Sequence, residues 1–232
     1  PSMLQALRDD VCAANLAVRR AGLVTLTWGN VSGLDPASRI MAIKPSGVSY
    51  DELTPDRIVL LSLDSGEVLW GDLRPSSDTP THLALYRAFD GVGGIVHTHS
   101  TYATAWAQAG RGIPAYGTTH ADHFRGEIPC TRMLTSDEIA GAYEEQTGRV
   151  IVDTYRHLDP RERPAVLVAG HGPFAWGPTP SAAVENAIVL EEVARMAALT
   201  ESVAQEARPI PRTLLDRHFL RKHGKDAYYG QR

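Results

Sequence analysis

Two histidines, His97 and His99, close the apolar run Gly94-Ile-Val in the sequence His97-Thr98-His99-Ser100. In an extended strand, residues i and i+2 face the same way, so both imidazoles can reach one point in space. Neutral imidazole is the commonest side-chain ligand for a transition metal. Three such ligands leave one coordination position open for a substrate oxygen, which is the arrangement of a catalytic rather than a structural zinc. A third partner is therefore required. His171 is the best placed, because it follows the apolar run Val166 to Ala169 and has Gly170 and Gly172 beside it, where the backbone can approach a ligand closely. His82, His120, His123, His157, His218 and His223 compete for that place. His120 and His123 could form a helical metal pair of their own, although they follow the turn-rich stretch Pro114 to Thr119. The plainer reading of a His-x-His pair is two imidazoles that only hydrogen-bond.

For the histidines to meet, strands must bring them to one end of a sheet. Leu4, Leu7, Val11, Ala14 and Val18 recur at helical spacing, with Ser2 and Gln5 as a capping box and Gly22 as the stop. Short strand-like runs follow over Val24 to Thr27, Ile40 to Lys44 and Ile58 to Leu63, separated by turn residues. Asp78 or Thr79 can cap a helix that has Pro80 in its first turn and runs to about Phe89, ahead of a strand from Gly94 to His97. A helix is expected from Ser100 to Gly110, another opened by a Thr135 and Glu138 capping box, then a strand from Val166 to Ala169. A long helix from about Pro180 to Val203 and one from about Thr213 to His223 complete the chain. Strands and helices mix without regular alternation and without a glycine-rich nucleotide fingerprint. The expectation is an α/β fold, a three-layer α/β/α sandwich with a mostly antiparallel central sheet, as a single domain over residues 1–232.

The composition, 43% hydrophobic and 22% charged over 232 residues, is that of a globular chain able to bury a large core. A net charge of -4 gives no electrostatic footprint for nucleic acid or an anionic membrane, so an anionic ligand would need a local site. Cys12 and Cys130 are too few for a disulfide framework, and no basic-then-apolar leader opens the sequence. Reduced thiols in a cytoplasmic protein are expected. The most apolar stretch, Ala182 to Leu199, carries Glu185, Glu191, Glu192 and Arg195, so no membrane span is expected.

Several further stretches carry a resemblance. They are Leu23 to Ser32 with Trp28 and Asn30, Ile43-Lys44-Pro-Ser46-Gly47-Val48, Pro75-Ser76-Ser77-Asp78 through His82, and the His97-Thr-His99-Ser run. Gly117-Thr118-Thr119-His120-Ala-Asp122, His171 to Gly177, Arg221-Lys-His223-Gly and the closing Ala227-Tyr228-Tyr229-Gly-Gln follow in order. The chain resembles the class II aldolase and adducin-head family over its whole length, and within it the 4-epimerases of phosphorylated ketopentoses.

The resemblance implies a fold, an activity and a set of site residues. His97, His99 and His171 would ligate one zinc ion per subunit, with other divalent metals able to substitute. Asn30, Lys44, Ser46, Gly47, Ser76 and Ser77 would form a phosphate pocket, a role their lysine charge, hydroxyls and amides suit. On residue chemistry alone, the favoured reading is a surface-solvated Lys44 with the serines as parts of turns. Asp78 stands where aldolase members carry a glutamate beside the metal, and would serve as an extra ligand or an orienting group; otherwise it is a helix N-cap. Asp122 and Tyr229 match an acid/base pair, and Thr118 and His218 match residues lining the same site. The implied activity is inversion at carbon 4 of a ketopentose phosphate by metal-assisted breaking and remaking of a carbon-carbon bond, or, alternatively, release of the fragments as a sugar-phosphate aldolase. A cyclic homotetramer with active sites at subunit interfaces is implied as well.

Overall fold

Side chains alternate across each strand, so a sheet whose strands are apolar on both faces must be covered on both faces. The structure, a computed structural model, describes residues 4–231. Its strands are β1 (Asn30–Asp35), β2 (Ile40–Ile43), β3 (Val59–Ser62), β4 (Val68–Trp70), β5 (Gly94–His97), β6 (Ala165–Val168) and β7 (Gly172–Gly177). They form one sheet in the order β4-β3-β2-β1-β5-β7-β6, with every neighbouring pair antiparallel. The helices are α1 (Gln5–Arg20), α2 (Thr79–Ala88), α3 (Thr101–Ala109), α4 (Thr118–Ala121), α5 (Ser136–Ala140), α6 (Tyr143–Thr154), α7 (Pro180–Val203) and α8 (Arg212–His223).

On one face, Ile40 and Ala42 of β2 pack against Val11 and Cys12 of α1, while Leu167 of β6 joins Trp106 of α3 and Leu190 of α7. On the other, Met41 and Ile43 share a cluster with Leu83 and Leu85 of α2 and with Phe89 just after it, and Val166 and Val168 join Ile151 of α6 there. The result is the expected three-layer α/β/α sandwich with an antiparallel sheet. Each fully buried aliphatic side chain contributes about 1.5–3 kcal/mol to holding the layers together. Gly94 lets the first turn of α7 sit on the start of β5, since a β-carbon there would lie 2.5 Å from Pro180. That contact fixes how β5 is laid, and therefore where His97 emerges.

The expected helices and most strands are present within a residue or two. The exception among strands is Val24 to Thr27, which forms no strand. Leu26 takes φ 55° and the Trp28 amide bonds back to the Thr25 carbonyl at 3.1 Å, so the segment is a turn, and β1 begins only at Asn30. The Thr135 and Glu138 capping box forms as expected, but α5 ends at Ala140 before Gly141 and α6 starts at Tyr143. The Ser2 and Gln5 capping box involves a residue outside those described. Strands β1, β4 and β7 and helix α4 were not expected. No helix among the described residues is long and apolar enough to cross a membrane.

Candidate active site

The turn that replaces the expected strand at Thr25–Trp28 leads into β1 through Gly29, whose φ of 79° and close approach to the backbone leave no space for a side chain. An added β-carbon would lie 2.8 Å from the His97 carbonyl oxygen. Asn30 pairs in register with His97, and His97 with Phe174, so β1, β5 and β7 present one end of the sheet together. His171 immediately precedes β7, and His99 follows the end of β5.

At that end the three imidazoles converge. Their ring centroids are 5.0 Å (His97–His99), 4.9 Å (His97–His171) and 5.0 Å (His99–His171) apart, and the rings cross at 74–80°. A nitrogen from each lies within 4.8 Å of the others, and no other trio of histidine, cysteine or carboxylate side chains converges in this way among the described residues. The Nε2 atoms of His97 and His99 are 3.2 Å apart. Two nitrogens bound to one zinc at about 2.0–2.1 Å with tetrahedral angles would be roughly 3.3 Å apart, so the spacing fits a single ion. His97 donates its Nδ1 proton to the Pro173 carbonyl at 2.9 Å, which fixes the tautomer and leaves Nε2 bare. Its ring stacks on Phe174 at 4.2 Å. Burial lowers the pKa of all three rings, that of His97 to about 3, so each is neutral and able to ligate near pH 7.

Asp78 occupies the N-cap position of α2 without making a side-chain cap bond. Its carboxylate instead accepts from Asn30 Nδ2 at 2.8 Å and lies 3.9 Å from His97 Nε2. Burial opposes its charged form, but His97 and the Asn30 bond outweigh it and hold the carboxyl below its usual range. Asn30 also donates to Ser76 Oγ at 3.0 Å and accepts from the buried His82 at 2.6 Å.

The same cavity, of about 540 Å³, continues to Lys44, Ser46, Gly47, Ser76 and Ser77. Two backbone bonds zip its walls together, Ser46 N–H to the Arg74 carbonyl and Ser76 N–H to the Lys44 carbonyl. Lys44 is not a surface residue. Only 1% of it is exposed, its ammonium lies 4.7 Å over the Tyr50 ring and 3.4 Å from the Thr27 carbonyl, and burial lowers its pKa to about 8. No carboxylate among the described residues counters its charge. A buried cation among hydroxyls and amides, in a cavity that also holds a metal-type triad, is chemically fit for an anion such as phosphate.

Thr118, Asp122, His218 and Tyr229 do not line this cavity. They lie on α4 and α8 and the tail, where Asp122 accepts from Arg221 through two nitrogens at 3.1 and 3.0 Å and from His218 Nδ1 at 3.0 Å. Burial opposes its charge, and the Arg221 and His218 bonds outweigh that and lower its pKa. Tyr229 is 60% exposed, its ring 4.2 Å from the Lys222 ammonium and 4.9 Å from the Arg221 guanidinium. His120 donates to the Gly126 carbonyl and His123 faces Glu185 at 3.6 Å, so the helical pair does not converge on one ion. Residues not anticipated for the site are Tyr143, whose hydroxyl lies 3.4 Å from His171 Nδ1, and Pro173, which acts through its carbonyl. Nothing in the sequence marks either.

The Class II Aldolase and Adducin N-terminal domain profile matches residues 9–198. Relatives called L-ribulose-5-phosphate 4-epimerase UlaF, from Salmonella paratyphi B and Salmonella typhi, are each 52% identical over 229 residues, covering 99% of this chain and 100% of theirs. Among solved structures, an L-fuculose 1-phosphate aldolase superposes with a TM-score of 0.77 at 24% identity, over 92% of this chain and 94% of its own. The L-fuculose-1-phosphate aldolase of Thermus thermophilus gives 0.66 at 26% identity, over 88% and 98%. These two structures establish likeness of fold.

Because the Lys44 charge is buried without a counter-ion, Lys44→Met should raise the unfolding free energy by about 1–2 kcal/mol. The same change should weaken inorganic phosphate binding by roughly tenfold or more, the loss of one charge-assisted contact. Denaturant titration and calorimetry measure the two effects. A less stable variant that binds phosphate as before would contradict the assignment.

Proposed function

The chain belongs to the Class II Aldolase and Adducin N-terminal domain family, and on that premise we propose that it is an L-ribulose-5-phosphate 4-epimerase, interconverting L-ribulose 5-phosphate and D-xylulose 5-phosphate. The observation that carries this reading is the joining, in one cavity, of a three-histidine metal site and an anion pocket, in a chain alike from end to end to relatives of that name. Free Cys12 and Cys130 support a reducing, cytoplasmic setting.

Carbon 4 of a ketopentose lies one carbon beyond the position that the ketone acidifies, so removing and returning its hydrogen is not an easy route to inversion. Breaking the bond between carbons 3 and 4 is easier, because the electron pair can move toward the ketone. His97, His99 and His171, with Asp78 beside them, would hold a single zinc ion, and other divalent ions could use the same donors. When bound, the ion supplies Lewis acidity at the ketone end, where negative charge develops as the bond breaks.

The remaining work belongs to the chain. Lys44, the hydroxyls of Ser46, Ser76 and Ser77, and the Gly47 backbone hold the phosphate, so the two-carbon fragment, glycolaldehyde phosphate, stays in the cavity. Anchored at its phosphate, it turns to present its other face, and the bond forms again with carbon 4 inverted. The proton of the carbon 4 hydroxyl must leave on cleavage and return on closure. Asp122, held as a carboxylate, and the Tyr229 hydroxyl would take these two steps on opposite faces, with Thr118 and His218 around them.

Within one chain these last residues stand apart from the cavity, so a neighbouring chain supplies them. A closed cyclic tetramer repeats one interface, and each site would take its metal from one chain and its acid/base pair from the next.

A coupled assay should show L-ribulose 5-phosphate converted to D-xylulose 5-phosphate, with the activity lost on chelation and restored by zinc. Release of dihydroxyacetone phosphate from fuculose or rhamnulose phosphate, without epimerisation, would make it an aldolase instead. For the shared site, Tyr229→Phe chains and His97→Asn chains should each be nearly inactive alone. Refolded together in equal amounts, they should regain roughly a quarter of the sites by random mixing around the ring. Mixed tetramers with no regained activity would place Tyr229 outside the shared site.

A further inference from the structure

Asn30 connects the two halves of the cavity, and its amide can sit in either of two orientations of the same shape, so only its partners decide which end faces where. The Asp78 carboxylate accepts but cannot donate. At 2.8 Å it requires Asn30 Nδ2, which turns Asn30 Oδ1 toward His82 Nε2 at 2.6 Å. That oxygen also only accepts, so His82 must carry its proton on Nε2.

The consequences run further into the core. A neutral His82 with Nε2–H has a bare Nδ1, which accepts a hydrogen bond from the Ser32 hydroxyl at 2.6 Å. With its one proton used, Ser32 Oγ accepts from the Tyr86 hydroxyl at 2.8 Å, and the phenol oxygen faces the backbone of Ile95. Every proton in this row is assigned, and no member of it is a buried polar atom without a partner. His82 is fully buried and lines no part of the cavity. Burial lowers its pKa to about 4, which keeps the ring neutral and so able to hold one tautomer.

Ser76 shows what the orientation achieves on the anion side. Its Oγ accepts from Asn30 Nδ2 at 3.0 Å and from the Asp78 amide at 3.2 Å, so its own proton remains to be donated into the cavity. With the Asn30 amide reversed, Oδ1 would take up that proton and would also face the Asp78 carboxylate. Both the metal side and the anion side would lose what the observed orientation gives them.

We propose that His82 is a positioning residue, whose Nε2–H locks the Asn30 amide in the one orientation that serves Asp78 beside the metal and Ser76 beside the phosphate. This rests on the reading of the cavity as a joint metal and phosphate site.

The test separates the donor from the bulk of the ring. His82→Gln keeps an N–H able to reach Asn30 Oδ1, whereas His82→Leu keeps packing volume and no donor. Thermal midpoints, the zinc dissociation constant by competition with a chelating dye, and the inorganic phosphate dissociation constant by calorimetry are measured well below unfolding. His82→Leu should lose roughly 10–100-fold in zinc affinity, as partners behind a metal ligand do, with a parallel loss for phosphate. His82→Gln should stay within about threefold of the parent for both, a difference under 1 kcal/mol. Parent-like binding by His82→Leu, or a His82→Gln as weak as His82→Leu, overturns the proposal. Should His82→Leu fail to fold, nitrogen-15 spectra of the parent protein decide: a neutral His82 protonated on Nε2 is expected, and protonation on Nδ1 overturns the assignment. None of these readouts needs turnover, so a parent protein without epimerase activity would refute the proposed function and leave this inference standing.

Discussion

Three neutral imidazoles held about 5 Å apart at one end of an antiparallel sheet are the constraint on which the rest of the structure depends. To bring them there, β5 must lie between β1 and β7, so that Asn30, His97 and the entry to β7 share one end. The Pro173 carbonyl accepts a hydrogen bond from His97 Nδ1–H, and a ligand nitrogen is thereby aimed before any ion arrives. Such preorganisation is what a catalytic metal site requires of its fold. The two helical layers bury and brace the sheet, α7 through its close seat on Gly94 at the far end of β5 and α6 through Tyr143 beside His171.

The site is built from groups that oppose folding unless they are partnered. Lys44 carries a charge in the interior with no carboxylate against it, and Asp78 is ionised in spite of its burial. Asp78 is compensated from within, by Asn30 and the row of hydrogen bonds that runs through His82 and Ser32 to Tyr86. Lys44 has no carboxylate against it among the described residues, and in the proposed function its charge is met by the anion. This asymmetry is the expected form of a site that must hold its metal side rigid and bind an anion reversibly.

Much of this was legible in the sequence wherever period and chemistry agreed. The apolar spacing of α1 and α7, the Pro80 start of α2 and the run into His97 read correctly, and the His-x-His pair pointed to His171 without help from any relative. Failures came where local chemistry gave the opposite signal. Val24 to Thr27 is rich in strand-forming residues, yet a positive φ at Leu26 makes it a turn. Strand β7 was not expected, since Gly172, Pro173 and Gly177 punctuate it, but its pairing with β5 and β6 on its two sides holds it extended. Asp78 looked like an N-cap and occupies that position, while its side chain answers to Asn30. Asp122 and Tyr229 had no local signal at all, and the role proposed for them comes from the family resemblance alone.

In the proposed mechanism one cavity keeps both fragments of a broken bond between carbons 3 and 4, so that carbon 4 never exchanges its hydrogen. The most direct measurement follows the hydrogen on that carbon. L-ribulose 5-phosphate carrying deuterium at carbon 4 is converted in ordinary water, and the D-xylulose 5-phosphate formed is analysed by mass and by NMR. Full retention of deuterium at carbon 4 is the predicted result. Progressive loss of the label to solvent during epimerisation would mean that carbon 4 is deprotonated, and would contradict the account.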